Sequence, residues 1–260
     1  MNVLQIVLIS LFIYLGSIGS IVGNTIGWYT LGRPLVASFI VGIIMGDVQT
    51  ALMVGIPLQI MYLGNVTPGG AVAWDLSYAT YIGTAGALVF GKGLETMGVI
   101  GVAVVFAGIG GLVGQLMWNV IYAVNLPLNR VAQRYAANGE TGKMYIPNVV
   151  IGQAIGFVAR FVPAVIVLST ITATSGQADF ATLIPGWLVT TLGVFGGMMS
   201  ALGMGIILSF LVKKQYQFLI YLLGFVLITY FGLNIMAVAT VGVATAILFY
   251  VITDSRKEAI

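Results

Sequence analysis

Long uncharged apolar runs alternate with short polar segments along the chain. The runs cover residues 1–32, 48–74, 96–129, 180–212 and 215–253. Each is longer than the ~20 residues that cross a bilayer core as a helix, and several are long enough to hold two helices joined by a turn. The pattern therefore predicts an all-α, polytopic integral membrane protein.

Turn-forming residues divide the runs into predicted helices near 3–22, from Pro34 to Asp47, and near 81–91, 98–122, 149–172 and 186–212. The last run predicts two short helices hinged near Gly232 and Asn234. Gly55 and Pro57 predict a break after Asp47, and residues 64–81 are too polar for a span. Such interruptions are typical of broken or re-entrant helices, which membranes tolerate only inside protein or beside a water-filled cavity. The sequence leaves the topology of the first hundred residues open.

Charged residues predict the orientation of the second half. Residues 125–147 carry Arg130 and Arg134 and indicate a solvated loop with a short helix. Because basic loops stay inside, we expect this loop, Lys213 with Lys214, and the C-terminal tail to be cytoplasmic, and residues 173–185 to lie outside. Arg33, the first basic residue, follows the first apolar run, so we expect that run to be retained rather than cleaved as a signal peptide.

Composition narrows the classes of function. Hydrophobic residues make up 60% of the 260 positions, charged residues 7%, and the mean hydropathy is +1.09. Cysteine and histidine are absent, which excludes disulfides, thiolate chemistry and histidine metal sites or general bases. No basic run exceeds two residues, so nucleic acid is excluded as a partner. We expect no metal and no cofactor. Without a visible repeat or low-complexity tract, residues 1–260 are predicted to form one membrane domain.

Glycine is abundant, with 35 copies. Several recur at small-xxx-small spacing, which lets helix backbones approach closely. These are Gly19/Gly23/Gly27, Gly42/Gly46, Gly110/Gly114 and Gly152/Gly156. We expect ordinary helix packing at most of them, with subunit contacts as an alternative.

Three ionisable residues stand out: Asp47, Asp75 and Arg160. A charge at membrane depth costs at least ~2.5 kcal/mol on insertion scales, so each is a candidate for function. Asp47 ends an apolar tract, where a carboxylate also serves as a solvated cap of the next helix. Arg160 lies within an apolar run and is expected to pair with an acid or to extend toward the interface. Both are candidates for a structural or core charge.

Asp75 lies in a polar segment that suits sugar recognition. The neighbouring polar and aromatic candidates are Gln59, Asn65, Thr67 and Trp74. Carboxylate and amide groups hydrogen-bond to sugar hydroxyls, and an aromatic ring covers the apolar face of a pyranose. A reverse turn with interfacial aromatic residues explains the same pattern equally well.

The chain shows no P-loop, catalytic carboxylate pair or serine nucleophile elbow, so composition indicates a transporter without naming its cargo. An ion- or proton-coupled secondary transporter that uses Asp47 or Asp75 as its coupling site fits as well. An intramembrane enzyme is a weaker third hypothesis because no catalytic pair is evident.

Ordered motifs make the sequence more specific. It contains GRPLVASFIVGIIMGDVQTALMVGIPLQIMYLGNVTPGGAVAWD, then AVNLPLNRVAQRYAANGE, LIPGWL, GGMMSALGMGIIL and FLIYLLGFVLITYFGLNIMAVATVGVATAILFY. Together these tracts resemble the IIC membrane subunit of the mannose/fructose/sorbose family of phosphoenolpyruvate-dependent sugar phosphotransferase permeases. The resemblance covers nearly the whole chain. Two positions depart from it, since members often have glutamate in place of Gln59 and proline in place of Trp74, so the identity of the sugar stays open.

The resemblance implies a sugar-translocating subunit in the bacterial cell membrane, with a mobile core domain that moves against a static scaffold. It implies a IID membrane partner, assembly as a trimer of IIC/IID pairs, and cytoplasmic IIA and IIB components that relay phosphate to the incoming sugar. By position it places Gln59, Asn65 and Asp75 in the region that faces the substrate.

Overall fold

The fold was obtained as a computed structural model, which describes residues 1–63, 74–175, 212–214 and 217–258 together with scattered positions between 187 and 211. The described residues are helical, with no strand among them, as the sequence predicts. They belong to two compact units, Met1–Ile206 and Ile207–Ile260.

The described part of each unit is built from helices. The first unit contains α1 (Val3–Leu15), α2 (Gly23–Ile26), α3 (Pro34–Met45), α4 (Val48–Tyr62), α5 (Leu76–Phe90), α6 (Thr96–Ala137) and α7 (Gly152–Ser175). Turns of π-helix cover Gly27–Leu31 and Ile146–Ile151, and a 3-10 turn covers Thr141–Met144. The second unit contains α8 (Gln217–Thr229) and α9 (Ile235–Glu258).

Several predicted boundaries are confirmed by local signals. Pro34 opens α3, and Gly46 ends it in the left-handed conformation with φ of 80°. The predicted hinge in the last run separates α8 from α9, with Gly232 at φ of 65°. Left-handed backbone at a helix end favours glycine because it has no Cβ to clash.

Two predictions about interruptions are wrong. Helix α4 continues through Gly55 and Pro57, since neighbouring groups in a membrane protein replace the hydrogen bond that proline removes. Gly55 instead allows close packing, because a Cβ added there would lie 2.7 Å from the Ser38 Cβ. Helix α6 likewise runs through Pro127 to Ala137. The short helix predicted around Arg130 and Arg134 is therefore the continuation of α6 and not a separate helix within a loop.

The lengths of the helices suit a bilayer. Among the described residues, α6 and the helical stretch Thr141–Ser175 are each long and apolar enough to cross it. The segments Gly23–Leu31 and Pro34–Met45 meet at a bend of 78° and form a third candidate if they make one span. Five shorter apolar helices accompany them. The expected broken or re-entrant segment of the first half corresponds to this bent pair.

Helix α5 forms the centre of the first unit. Every one of its residues except Val89 is buried. Two of its hydroxyl groups bond to other elements of the unit: Thr84 shares a 2.8 Å hydrogen bond with Ser38 of α3, and Tyr81 donates to the Leu31 carbonyl at 3.0 Å. A short helix that is buried all round needs its ends satisfied by protein, because no water reaches them.

Glycines on α6 let that helix approach α5 closely. A Cβ added to Gly110 would lie 2.5 Å from the Tyr78 carbonyl oxygen, and one added to Gly114 would overlap the Asp75 side chain. The small-xxx-small pair Gly110/Gly114 is thus a helix-packing contact, as the sequence predicts. The two helices run antiparallel. Asp75, just before α5, contacts Gly114, whereas Gly83, later in α5, faces Ala107, which comes earlier in α6 than Gly114.

We expect Gly114→Ala to lower the thermal unfolding temperature of the detergent-solubilised protein. Overpacking a tight contact costs roughly 1–3 kcal/mol, more than the helix propensity that alanine adds. Gly108→Ala is the matched control, because that α6 glycine has open space where a Cβ would go. Gly108→Ala should leave the unfolding temperature unchanged or slightly raised. Equal behaviour of the two variants would contradict the close α5–α6 contact.

Candidate functional site

Asp75 lies at the amino end of α5 and is fully buried. It is the N-cap residue, and its Oδ1 accepts a hydrogen bond from the Tyr78 backbone N–H at 3.1 Å. This bond satisfies one of the free N–H groups at the start of the helix, and the helix dipole favours a negative charge there. The sequence folds this way because aspartate directly precedes the apolar helix.

Arg160 of α7 supplies the opposite charge. Its Nη1 donates to Asp75 Oδ2 at 2.7 Å, and the arginine and aspartate side chains are 2% and 0% exposed. Trp118 of α6 covers the guanidinium, with its ring centroid 4.8 Å from Cζ. The Tyr78 hydroxyl donates to the Arg160 backbone carbonyl. Asp75, Tyr78, Trp118 and Arg160 form what we call the ion-pair cluster, which joins α5, α6 and α7.

The cluster holds two charges in the interior of the unit. Desolvation of such charges is compensated only when they are paired and hydrogen-bonded, and loss of one partner from a buried pair typically costs about 3–5 kcal/mol. The sequence predicts that Arg160 either pairs with an acid or extends toward the interface. In the structure it pairs with an acid, Asp75. Asp75 consequently has a structural role in this conformation.

The other sugar-binding candidates lie in different surroundings. Trp74 is 38% exposed, and its ring packs over Gly111 of α6 beside the ion-pair cluster. Gln59 is half-buried near the end of α4, and its side-chain oxygen accepts from the Leu35 backbone N–H of α3 at 3.3 Å. Asn65 and Thr67 lie outside the described residues. The described contacts thus join Trp74 and Asp75 to α6, and Gln59 to α3.

Asp47 lies at the opposite end of the helices. It is exposed, and its Oδ1 caps α4 by accepting from the Thr50 backbone N–H at 3.1 Å. It lines a cavity of about 220 Å³ together with Lys92 and the carboxyl end of α5. The capping interpretation of Asp47 agrees with this geometry. About 12 residues of α5 at a 1.5 Å rise, roughly 18 Å, separate this cavity from Asp75.

Two members of the ion-pair cluster were not singled out from the sequence as site residues. These are Tyr78 and Trp118, neither of which is among the candidates named from the sequence. A signal existed, because Gly114 and Trp118 are four residues apart and so share one face of α6. Gly114 leaves room for a side chain of a neighbouring helix, and Trp118 can cover that side chain from one turn away. This pattern in the sequence of α6 could have located the cluster.

The comparisons with known proteins agree with this membrane fold. The family model described as the sorbose-specific IIC component of the PTS system matches residues 3–248. The chain belongs to this IIC family. The mannose-specific EIIC component of the PTS system in Escherichia coli K12 is 27% identical over 248 residues, covering 95% of this chain and 88% of that protein. Family members thus differ in the sugar by which they are named.

Two solved structures are similar to this IIC chain. One, described only as a membrane protein, has a TM-score of 0.75 at 23% identity and covers 96% of both chains. The other is a cryo-EM structure of the mannose transporter ManYZ in complex with microcin E492, with a TM-score of 0.53, 25% identity and 96% coverage of both chains. The all-α membrane fold is therefore confirmed, whereas the roles of individual residues in sugar binding stay predictions.

We expect Asp75→Asn and Arg160→Gln each to lower the unfolding temperature sharply, because each leaves one buried charge without its partner. The double variant Asp75→Asn/Arg160→Gln should recover much of the loss, since it removes both charges while keeping similar shapes. Thermal unfolding of the four proteins in detergent gives the coupling. If the two single losses simply add in the double variant, the ion pair does not stabilise the fold.

Proposed function

We propose that this chain is the sugar-translocating subunit of a phosphoenolpyruvate-dependent phosphotransferase permease of the mannose/fructose/sorbose type. It binds a hexose or a related sugar and delivers it to the cytoplasm, where partner subunits phosphorylate it. The observation that carries the proposal is the family match over residues 3–248. The geometry adds a charged, water-excluded cluster that contains Asp75 and lies next to Trp74, two of the candidate sugar ligands.

Asp75 keeps the capacity to bind a hydroxyl group. A carboxylate offers about four lone-pair positions, and the Tyr78 N–H and Arg160 Nη1 each use one. A sugar hydroxyl would therefore bond to Asp75 without displacing Arg160. In a site without bulk water such a charge-assisted bond is stronger than in solution. Trp74 would cover an apolar sugar face, and Gln59, Asn65 and Thr67 would supply further polar contacts.

The proposed orientation is consistent with delivery to the cytoplasm. Lys92 precedes α6, and Arg130 and Arg134 lie near its far end, so these charges lie on opposite sides of a bilayer that α6 spans. If the arginine-bearing end is cytoplasmic, Asp75, which faces Gly114 on the antiparallel α5, lies near the middle of that span. We propose a multi-pass protein of the bacterial cytoplasmic membrane with this orientation.

The proposal includes partners, because this chain lacks the residues that carry phosphate. It contains no histidine or cysteine, which the resembled permeases use as covalent phosphoryl carriers. Cytoplasmic IIA and IIB components would hold the phosphoryl group, and a IID subunit would complete the membrane part as a trimer of IIC/IID pairs. Similarity to the mannose transporter ManYZ structure supports the pairing with a IID subunit. The core that contains α5 would move against a static scaffold.

We expect uptake of mannose, fructose or sorbose into vesicles that contain the complex to require phosphoenolpyruvate and the general phosphocarriers. With radiolabelled phosphoenolpyruvate, label should appear on the histidine-bearing component and on the sugar, but not on this chain. Omission of this chain should stop uptake without stopping phosphorylation of the soluble components. Uptake driven by a proton gradient alone would support a secondary transporter instead, and turnover-linked label on this chain would contradict the mechanism.

The contribution of Asp75 to sugar binding is tested with Asp75→Asn/Arg160→Gln, in which the unpaired buried charge is absent. This variant should be inserted in the membrane, yet its half-saturating sugar concentration should rise roughly 10- to 150-fold, the equivalent of a charge-assisted hydrogen bond of about 1.5–3 kcal/mol. Ser10→Ala serves as the control for folding and insertion, because Ser10 is buried on α1, which contributes no residue to the ion-pair cluster. Wild-type uptake kinetics in the double variant would remove Asp75 from the sugar site.

A further inference from the structure

The ion-pair cluster contains polar atoms that are buried without a hydrogen-bond partner. Among the described residues, eight side-chain atoms are in this state, and three of them concern the cluster: Arg160 Nη2 and Trp118 Nε1 belong to it, and Gln115 Oε1 lies on α6 next to Trp118. A buried polar atom without a partner is disfavoured by roughly 1–3 kcal/mol, and native proteins contain few of them. Three at one place indicate that something absent from this conformation bonds to them.

These three atoms lie in one neighbourhood. Trp118 covers the guanidinium of Arg160 at 4.8 Å, so its indole N–H and Nη2 belong to the same cluster. Gln115 precedes Trp118 by three residues, which places the two side chains next to each other on α6. Gly114, the residue before Gln115, contacts Asp75. Arg160 Nη2 and the Trp118 N–H therefore lie beside the carboxylate that the proposed function assigns to sugar, and Gln115 Oε1 adjoins Trp118 on α6.

The chemistry of the three atoms selects the class of ligand. Arg160 Nη2 and the Trp118 N–H only donate hydrogen bonds, whereas Gln115 Oε1 only accepts. A ligand that satisfies both kinds must donate and accept from atoms close together, as neighbouring hydroxyl groups do. An anion would satisfy the donors but would repel Gln115 Oε1 and Asp75. A neutral polyol fits the whole set.

We propose that Arg160, Trp118 and Gln115 form a second part of the sugar site, in which the Arg160 and Trp118 N–H groups donate to sugar hydroxyls and Gln115 accepts from one. This inference rests on the proposed function and extends it to α6 and α7. Arg160 then bridges the Asp75 carboxylate and the sugar, since Nη1 holds the first and Nη2 the second. Recognition and the stability of the cluster thus share one guanidinium.

An ordered water is the competing occupant, because a buried water also needs two to four polar partners. Variants that remove one of these atoms distinguish the two occupants, because they affect either stability or sugar affinity. If the atoms serve a water, its loss alters stability and leaves sugar affinity as it was. If they serve the sugar, removal of an unpartnered atom leaves the free protein at least as stable, and affinity falls.

Sugar binding by the purified membrane complex, measured by titration calorimetry with mannose, fructose and sorbose, tests the inference. Gln115→Met keeps the shape but removes the acceptor, and Trp118→Phe keeps a ring but removes the donor. Each should weaken binding of the sugar that the wild type binds by roughly three- to ten-fold, while the unfolding temperature of Gln115→Met stays at or above that of wild type. Ser10→Ala is the matched control, since the Ser10 hydroxyl is also buried and unpartnered but lies on α1; it should change neither quantity.

Binding of a deoxy sugar identifies the hydroxyl group that accepts the hydrogen bond from the Trp118 N–H. The wild type should bind the matching deoxy analogue as weakly as Trp118→Phe binds the parent sugar, and Trp118→Phe should not distinguish the two. Wild-type affinity in both Gln115→Met and Trp118→Phe would overturn the inference and leave the proposed function intact. If Trp118→Phe does not fold, Gln115→Met decides alone. Absence of binding and of phosphoenolpyruvate-dependent uptake in the wild type would instead contradict the proposed function.

Discussion

The buried ion pair between Asp75 and Arg160 is the constraint on which the centre of the first unit depends. Helix α5 is surrounded by protein, so its amino end has no water to bond and needs an acceptor from within. Asp75 supplies that acceptor but brings a charge, and the charge requires Arg160 of α7 at 2.7 Å. One local requirement, a cap on a buried helix, thereby fixes how α5 and α7 meet.

The residues of α6 that face this ion pair match its shape. The carboxylate occupies space that any side chain larger than hydrogen at position 114 would fill, and one turn later Trp118 covers the guanidinium. A small residue therefore admits the charge and a large aromatic ring closes over its partner. The two requirements act at adjacent turns of one helix face, so the α5–α6 packing and the electrostatics of the cluster cannot be optimised separately.

The sequence predicts what local signals determine. Pro34, Gly46 and the cap at Asp47 define α3 and the start of α4 within a few residues, and the final run divides at Gly232, because caps and left-handed glycines act on their own neighbourhood. Asp75 and Arg160 are each marked by the cost of a charge in an apolar run. The sequence does not predict that these two residues pair with each other, since 85 positions separate them and no local signal selects the partner. The continuation of α4 and α6 past proline escapes prediction for the same reason, because tertiary surroundings replace the lost bond.

A paired aspartate also bears on how a sugar site could move within a membrane. A lone carboxylate carried through the full membrane potential is coupled to it by about 2.3 kcal/mol per 100 mV. Asp75 and Arg160 together carry no net charge, and a neutral sugar adds none. If the proposed core moves as one body, the cluster crosses the field without electrical work, so the membrane potential neither drives nor opposes movement of the pair. A neutral site of this kind suits accumulation that is driven by chemistry after translocation, the part that the proposed function assigns to phosphorylation by partner subunits.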